Sequence, residues 1–290
     1  GLWKKQLTEW ITPALPWSLF GGGVLGVGIM MGAYWAYETL NFGGYWNWDP
    51  VENASFVPWL VWIGAIHTMI AYRNSSSALK TSIILVITTF ILVLYSTFLN
   101  RSGILGNASV HSFTDLGLSG QLLLYMGTFL VGAIALAWYR WKDLPTDEKE
   151  MGIYSREFWI FVGASVLGLS AFQLTFTTSI PVYNKIAEAF GLVSNIALPA
   201  DQVEHYSKIQ IWIFLAVAIL SGVGQFVWWG KLKESTQFKP LYSSLLASVL
   251  ATVLIVNIGK VYTVSYIALL WSGLFSLISN GKILWFLARQ

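Results

Sequence analysis

The sequence predicts an all-α fold: a polytopic integral membrane bundle of about eight transmembrane helices with both termini cytoplasmic. Three observations predict it. Of 290 residues, 56% are hydrophobic and only 11% charged, too little charge to clothe a water-soluble globule. Apolar runs long enough to cross a hydrocarbon core, which takes about 20 helical residues, recur along the whole chain. The Lys and Arg residues between those runs are sorted into alternate loops.

In order, the runs lie near residues 14–38, 56–72, 81–99, 119–139, 158–178, 208–230, 242–259 and 263–288. With the N-terminus inside, Lys4, Lys5, Arg73, Lys80, Arg140, Lys142, Lys149, Arg156, Lys231, Lys233, Lys239, Lys282 and Arg289 all face the cytoplasm. Only Arg101, Lys185, Lys208 and Lys260 fall outside, so the positive-inside rule sets the orientation. The chain reads as a single transmembrane domain, 1–290, with three outer loops at 39–55, 100–118 and 179–207. The inner connection 142–157 reads as solvated, and 184–193 has apolar residues at helical spacing, as in a helix lying flat on the outer surface.

The net charge of +3 is dispersed, with no basic block to follow a nucleic-acid backbone, so nucleic-acid binding is set aside. With no Cys in the chain, any thiol chemistry belongs to a partner. A start at Gly1 without Met, and an end at Gln290 inside an apolar segment, predict a piece of a longer protein lacking N- and C-terminal parts. No cleavable signal peptide is evident.

The densest signal is Gly43-Gly44-Tyr45-Trp46-Asn47-Trp48-Asp49-Pro50-Val51-Glu52-Asn53-Ala54-Ser55, followed by Pro58, Trp59 and Trp62. Asp49 suits an N-cap, Pro50 the first helical position, and Glu52 sits where a capping box needs it. Pro58 predicts a bend between a surface turn and the span. The aromatics allow two readings: an interfacial belt, or a flat shelf for a large planar ligand, with Gly43 and Gly44 permitting close backbone approach.

The chain has only three histidines. His67, nine residues after Pro58, lies roughly 14 Å into a core about 30 Å thick. An imidazole at that depth needs a partner or a ligand, either a neighbouring helix or a bound group. His111 is in the polar outer loop, where a surface residue is the plain reading. His205 reads as an interfacial, snorkelling side chain. Arg101 is placed to pair with Asp49 or Glu52, or with a ligand carboxylate. Asn107-Ala108-Ser109 matches a glycosylation sequon, a triplet too common to carry weight.

Residues 43–60 resemble the WWD signature of the haem-handling proteins of cytochrome c biogenesis. Asp-Pro-Val-Glu-Asn-Ala-Ser followed by Pro-Trp-Leu is similar to the branch of large haem-lyase subunits of the cytochrome c maturation system, the CcmF type. The likeness continues in Ser96-Thr97-Phe98-Leu99-Asn100-Arg101-Ser102-Gly103, in Ser109-Val110-His111-Ser112-Phe113 and in Ser155-Arg156-Glu157.

The resemblance implies haem b in two roles. His111 would be the second of two outer histidines that ligate the haem iron to be transferred. His67 would be the first of two transmembrane histidines that ligate a resident haem. Tyr45, Trp46, Trp48, Asp49 and Arg101 would support the transferred haem while two thiols of an apocytochrome Cys-x-x-Cys-His segment add to its vinyl groups. Implied partners are a haem chaperone, apocytochrome c, other maturation subunits and quinol. The implied location is the bacterial inner membrane, with the Trp loop facing the periplasm. The family's first outer histidine would precede Gly1, and its second transmembrane histidine would follow Gln290. Tyr45 and Asn47 depart from the usual aromatics, and 198–208 lacks the family's Gly-x-Pro-Phe-Phe-Asn run. Alternatives are a haem transporter or one-piece synthase and, from a different class, a secondary transporter for a small solute with an aromatic gate.

Overall fold

Each predicted run becomes a helix in the computed structural model, which describes residues 1–39, 44–106, 108–109, 111, 113, 117–145, 155–224, 226 and 239–289. The helices are α1 (Ile11–Thr39), α2 (Pro50–Tyr72), α3 (Ala78–Arg101), α4 (Ser119–Arg140), α5 (Arg156–Thr178), α6 (Ile180–Ala189), α7 (Gln202–Gly224), α8 (Lys239–Gly259) and α9 (Val264–Ala288). Among the described residues there is no strand, and all but α6 are long and apolar enough to cross a membrane. The chain is a multi-pass membrane protein.

Starts depart from the apolar runs where a cap outranks hydropathy. α2 begins at Pro50, ahead of the apolar run at 56, because Asp49 and Glu52 close a capping box around it. α7 begins at Gln202 instead of 208: Asp201 Oδ1 accepts from Glu204 N at 2.7 Å, the bond of an N-terminal cap. α6 starts before the expected 184, with Pro181 in its first turn, and ends where Gly191 turns left-handed (φ 72°) and Leu192 N returns to Ala187 O. The expected separation of surface turn and span at Pro58 is not found. α2 runs unbroken through it, so cap and span are one helix.

The described chain groups into two compact units. In the first, residues 1–147 and 168–206, α2 is the most buried helix and pairs with α3 through the tight connection 73–77. Near the Tyr72 end, Ile66 and Met69 pack with Leu79 and Ile83 of α3 and Ile11 and Leu15 of α1. Near the Asp49 end, Ala54 packs with Phe98, Leu99 and Leu105. In lipid such contacts gain little from the hydrophobic effect, so close fit and hydrogen bonds decide them. Trp59 Nε1 donates to Gly22 O at 2.9 Å. A Cβ on Gly21 would stand 2.7 Å from the Trp62 ring, and one on Gly26 3.0 Å from Trp59 Nε1. Trp59 and Trp62 are therefore docked into the glycine face of α1 and do not extend a ligand shelf.

In the second unit, 148–167 and 207–290, α8 and α9 pair. Ser244, Ser248 and Thr252 of α8 and Ser272 and Ser279 of α9 are buried, the small-residue packing that lets membrane helices approach. Phe275 lies against Gly222, where a Cβ would meet its ring at 2.5 Å. Asn280 Nδ2 donates to Ser221 Oγ and to Ser276 O. Ser155 and Glu157, expected to be solvated, are buried; Ser155 Oγ accepts from Phe158 N at 3.2 Å and caps α5. Residues 146–154, with Lys149, and Lys231 and Lys233 lie outside the described residues.

Candidate functional site

One carboxylate organises the start of α2. Asp49 Oδ1 accepts from Val51 N at 2.9 Å as a helix cap, and Glu52 Oε2 accepts from Asp49 N at 3.2 Å and Asn47 N at 3.0 Å. The same Asp49 oxygen accepts from Ser109 Oγ at 2.6 Å and lies 3.4 Å from His111 Nδ1. Ser109 Oγ in turn accepts from His111 N at 3.0 Å. A carboxylate has about four acceptor positions and this capping box uses two of them, for Val51 N and Glu52 N, so the remainder can hold the loop that carries His111. The sequence places Asp49 and Ser109 sixty residues apart; the fold places them in contact.

Asn53 fixes this node from below. It is fully buried, and its Nδ2 donates to Trp48 O at 2.8 Å and to Thr178 Oγ1 at 3.2 Å. Thr178 Oγ1 is 3.3 Å from the hydroxyl of buried Tyr206. Trp48 has φ 55°, a left-handed backbone that costs a non-glycine residue roughly 1–2 kcal/mol. The Asn53 bond to its carbonyl and the Tyr206 ring 5.5 Å from its own offset that cost.

The aromatics form a packed cluster in place of a flat shelf. Trp46 meets Trp48 edge-on at 89° and Phe56 at 64°, and Phe56 stacks on Trp59 at 5.7 Å. Tyr45 is elsewhere, stacked on Tyr37 of α1 at 4.2 Å. Arg101 does not pair with Asp49 or Glu52; its guanidinium lies over the Phe113 ring at 3.8 Å. His205, expected to snorkel, is half-buried and edge-on to Tyr206 at 5.1 Å. Gly43, Asn107, Val110 and Ser112 lie outside the described residues.

His67 is not part of this node. Eighteen helical residues separate it from Asp49, roughly 27 Å along α2, so the two histidines cannot share one iron. Its ring is exposed, and Nδ1 donates to Ile63 O at 2.8 Å, since a carbonyl only accepts.

Residues 3–106 match the family model described as cytochrome C assembly protein. Over 217 residues the chain is 32% identical to the cytochrome c-type biogenesis protein CcmF of Escherichia coli (strain K12), covering 74% of this chain and 32% of that protein. It is 40% identical over 143 residues to the cytochrome c biogenesis CcmF N-terminal-like mitochondrial protein 2 of Arabidopsis thaliana, covering 48% of this chain and 68% of that one. The chain belongs to the CcmF family of cytochrome c biogenesis proteins. It is also 41% identical over 136 residues to the cytochrome c-type biogenesis protein CycK of Rhizobium meliloti (strain 1021), 47% of this chain and 20% of that protein. The chain spans about a third of the length of the bacterial CcmF relatives. No solved structure matches it.

For a CcmF-family chain the group to test against these residues is haem. Haem iron takes axial ligands from neutral imidazole and brings four nitrogens of its own, so it needs single, well-oriented histidines and no ligand cluster. Among the described residues no group of three His, Asp or Glu could hold a bare ion. His67 meets the requirement: with Nδ1–H bonded to Ile63 O, the lone pair is on Nε2 of an exposed ring. His111 has its Nδ1 3.4 Å from the Asp49 carboxylate, a neighbour that can orient an imidazole ligand. Residue-type reasoning missed Asn53, Ser109, Thr178 and Tyr206 as parts of the node. Asn53 and Ser109 lay within the quoted motifs, but no spacing rule links them to their partners.

Proposed function

We propose that the chain holds haem at the outer membrane face for thioether attachment to apocytochrome c, as part of a haem lyase. The observation that carries this is the Asp49 carboxylate, which both starts α2 and secures the loop of His111. One imidazole is thereby held at the helix start that directly follows Trp46 and Trp48, apolar rings that would border a largely apolar macrocycle.

The attachment adds each thiol S–H across a vinyl double bond. A carbon–sulfur bond forms at the vinyl carbon next to the ring, the thiol hydrogen goes to the terminal carbon, and no net oxidant is consumed. The chain's contribution is ligation and orientation, which turn a bimolecular encounter into a local one. Having no cysteine, it offers no thiol to compete with the two of the apocytochrome. His67 would ligate a resident haem b, which would supply electrons from quinol to keep the substrate iron reduced. A haem chaperone and other maturation subunits would deliver the haem and the apocytochrome at the outer side of the bacterial inner membrane.

The test is an absorption spectrum of the full-length protein purified with bound haem. His111→Ala should remove the haem presented for transfer and leave the resident haem in place; His67→Ala should do the reverse. Both variants keeping wild-type haem content and Soret position would overturn the assignment.

A further inference from the structure

A small cavity lies in the first unit, one turn along α2 from Asp49, where α2 meets α3 and the end of α5. Asn53, Ala54 and Pro58 form one wall, Tyr95 and Ser96 of α3 a second, and Ser179 a third. Its volume is about 10 Å³, the room that one water molecule takes. None of the described residues that line it is charged.

Four polar groups at this cavity have hydrogen-bonding capacity left over. Asn53 is fully buried, and its amide nitrogen is committed to Trp48 O and Thr178 Oγ1. Its Oδ1 has no donor among the described residues. Pro58 has no N–H, so Ala54 O, one turn earlier, lacks its α-helical donor. Ser96 is half-buried, and among the described residues its hydroxyl makes no hydrogen bond, not even to the carbonyl one turn back. Ser179 Oγ accepts from Tyr95 OH at 2.6 Å and keeps its own hydrogen to give.

Two carbonyl oxygens that only accept and two hydroxyls that can donate therefore line a space of one water molecule. Water matches them, with two hydrogens to give and two lone pairs to receive. An ion would lose its hydration here with no opposite charge to replace it. An acyl chain needs more room and would leave Asn53 Oδ1 unmet, which is costly for a buried carbonyl oxygen.

We propose that this cavity binds one structural water, which donates to Asn53 Oδ1 and Ala54 O and accepts from Ser96 and Ser179. It ties α2 to α3 and to the end of α5 at the level where Asn53 holds the left-handed backbone of Trp48. The geometry of the outer node is thereby anchored inside the span. The proposal does not depend on haem being the ligand of that node.

The experiment combines cryo-electron microscopy of the full-length protein in phosphatidylcholine nanodiscs, at a resolution that shows ordered waters, with melting curves. The wild type should show one compact peak about 2.5–3.0 Å from Asn53 Oδ1 and Ala54 O. Ser96→Val, which fills the space with methyl groups, should abolish the peak. Ser96→Ala should lower the melting temperature by about 2 °C in the wild-type background and leave it unchanged in Asn53→Ala, because the two side chains share no direct bond and are coupled through the water. Elongated density of an acyl chain at the site, a protein donor on Asn53 Oδ1, or additive melting shifts in the double variant would overturn the proposal.

Discussion

The two ends of α2 hold a histidine in opposite ways. At the Pro50 end, His111 is positioned from outside the helix, by a carboxylate sixty residues from the serine that completes the link. Toward the Tyr72 end, His67 is positioned by its own helix, through the carbonyl of Ile63 one turn earlier. The local bond needs nothing but helical geometry and withstands changes elsewhere. The long-range bond depends on Asp49, Ser109, Asn53 and the ring of Tyr206 being in place together. On the proposed function, the imidazole that would receive and release a substrate is the one built on the adjustable arrangement, and the one that would hold a resident group is built on the fixed one.

The largest break in this comparison is expected from Asp49→Ala. It removes a helix cap and strands the Ser109 hydroxyl, together about 2–3 kcal/mol. It should lower the melting temperature and abolish haem held through His111, with the haem at His67 retained in the same spectrum. Asp49→Asn sharpens the contrast: it keeps a cap acceptor, so thermal stability should stay near wild type, while the loss of the anion facing His111 should still weaken the outer haem. Haem content equal to wild type in both variants would separate Asp49 from ligation.

A smaller effect is expected from Asn53→Ala, about 1–2 kcal/mol, because its partners lie near a span end where alternatives are within reach. Released from Asn53, the left-handed backbone of Trp48 should relax, changing Trp fluorescence while leaving the His67-bound haem unaltered. A variant with wild-type melting and emission would remove Asn53 from the node.

The smallest effect belongs to Glu188, remote from both histidines. Its hydrogen bond from Lys185 holds the carboxyl below its ordinary range. A depressed carboxylate pKa favours the folded state above the unfolded pKa and ceases to do so as pH falls through the folded one. Because the group is fully exposed, Glu188→Gln should leave the melting curve at pH 7 superimposable on wild type. A clear shift would mean that the α6 surface is covered in the intact protein.

Most of the fold was legible because lipid imposes one rule on every span, a long apolar helix, and hydropathy reads that rule directly. Capping was legible too, since Asp49, Pro50 and Glu52 act within one turn. The separation of turn and span at Pro58 was misjudged: proline lacks one N–H, yet α2 stays helical through it, with Val57, Pro58, Leu60 and Val61 buried. The aromatics were left with two readings, a belt or a shelf, because residue type does not reveal whether an indole faces a ligand or another helix. Gly21 and Gly26 were the available signal that Trp62 and Trp59 face α1. The Asp49–Ser109 link was out of reach, since no periodicity connects two loops on different hairpins.

That link has a consequence for how such a protein can be inherited. A helix start and a loop joined by hydrogen bonds need not share one continuous backbone. They must only meet, so a break in the exposed connection at Asn74 can leave the pairing intact, whereas a change at either contact cannot be made without answering for the other.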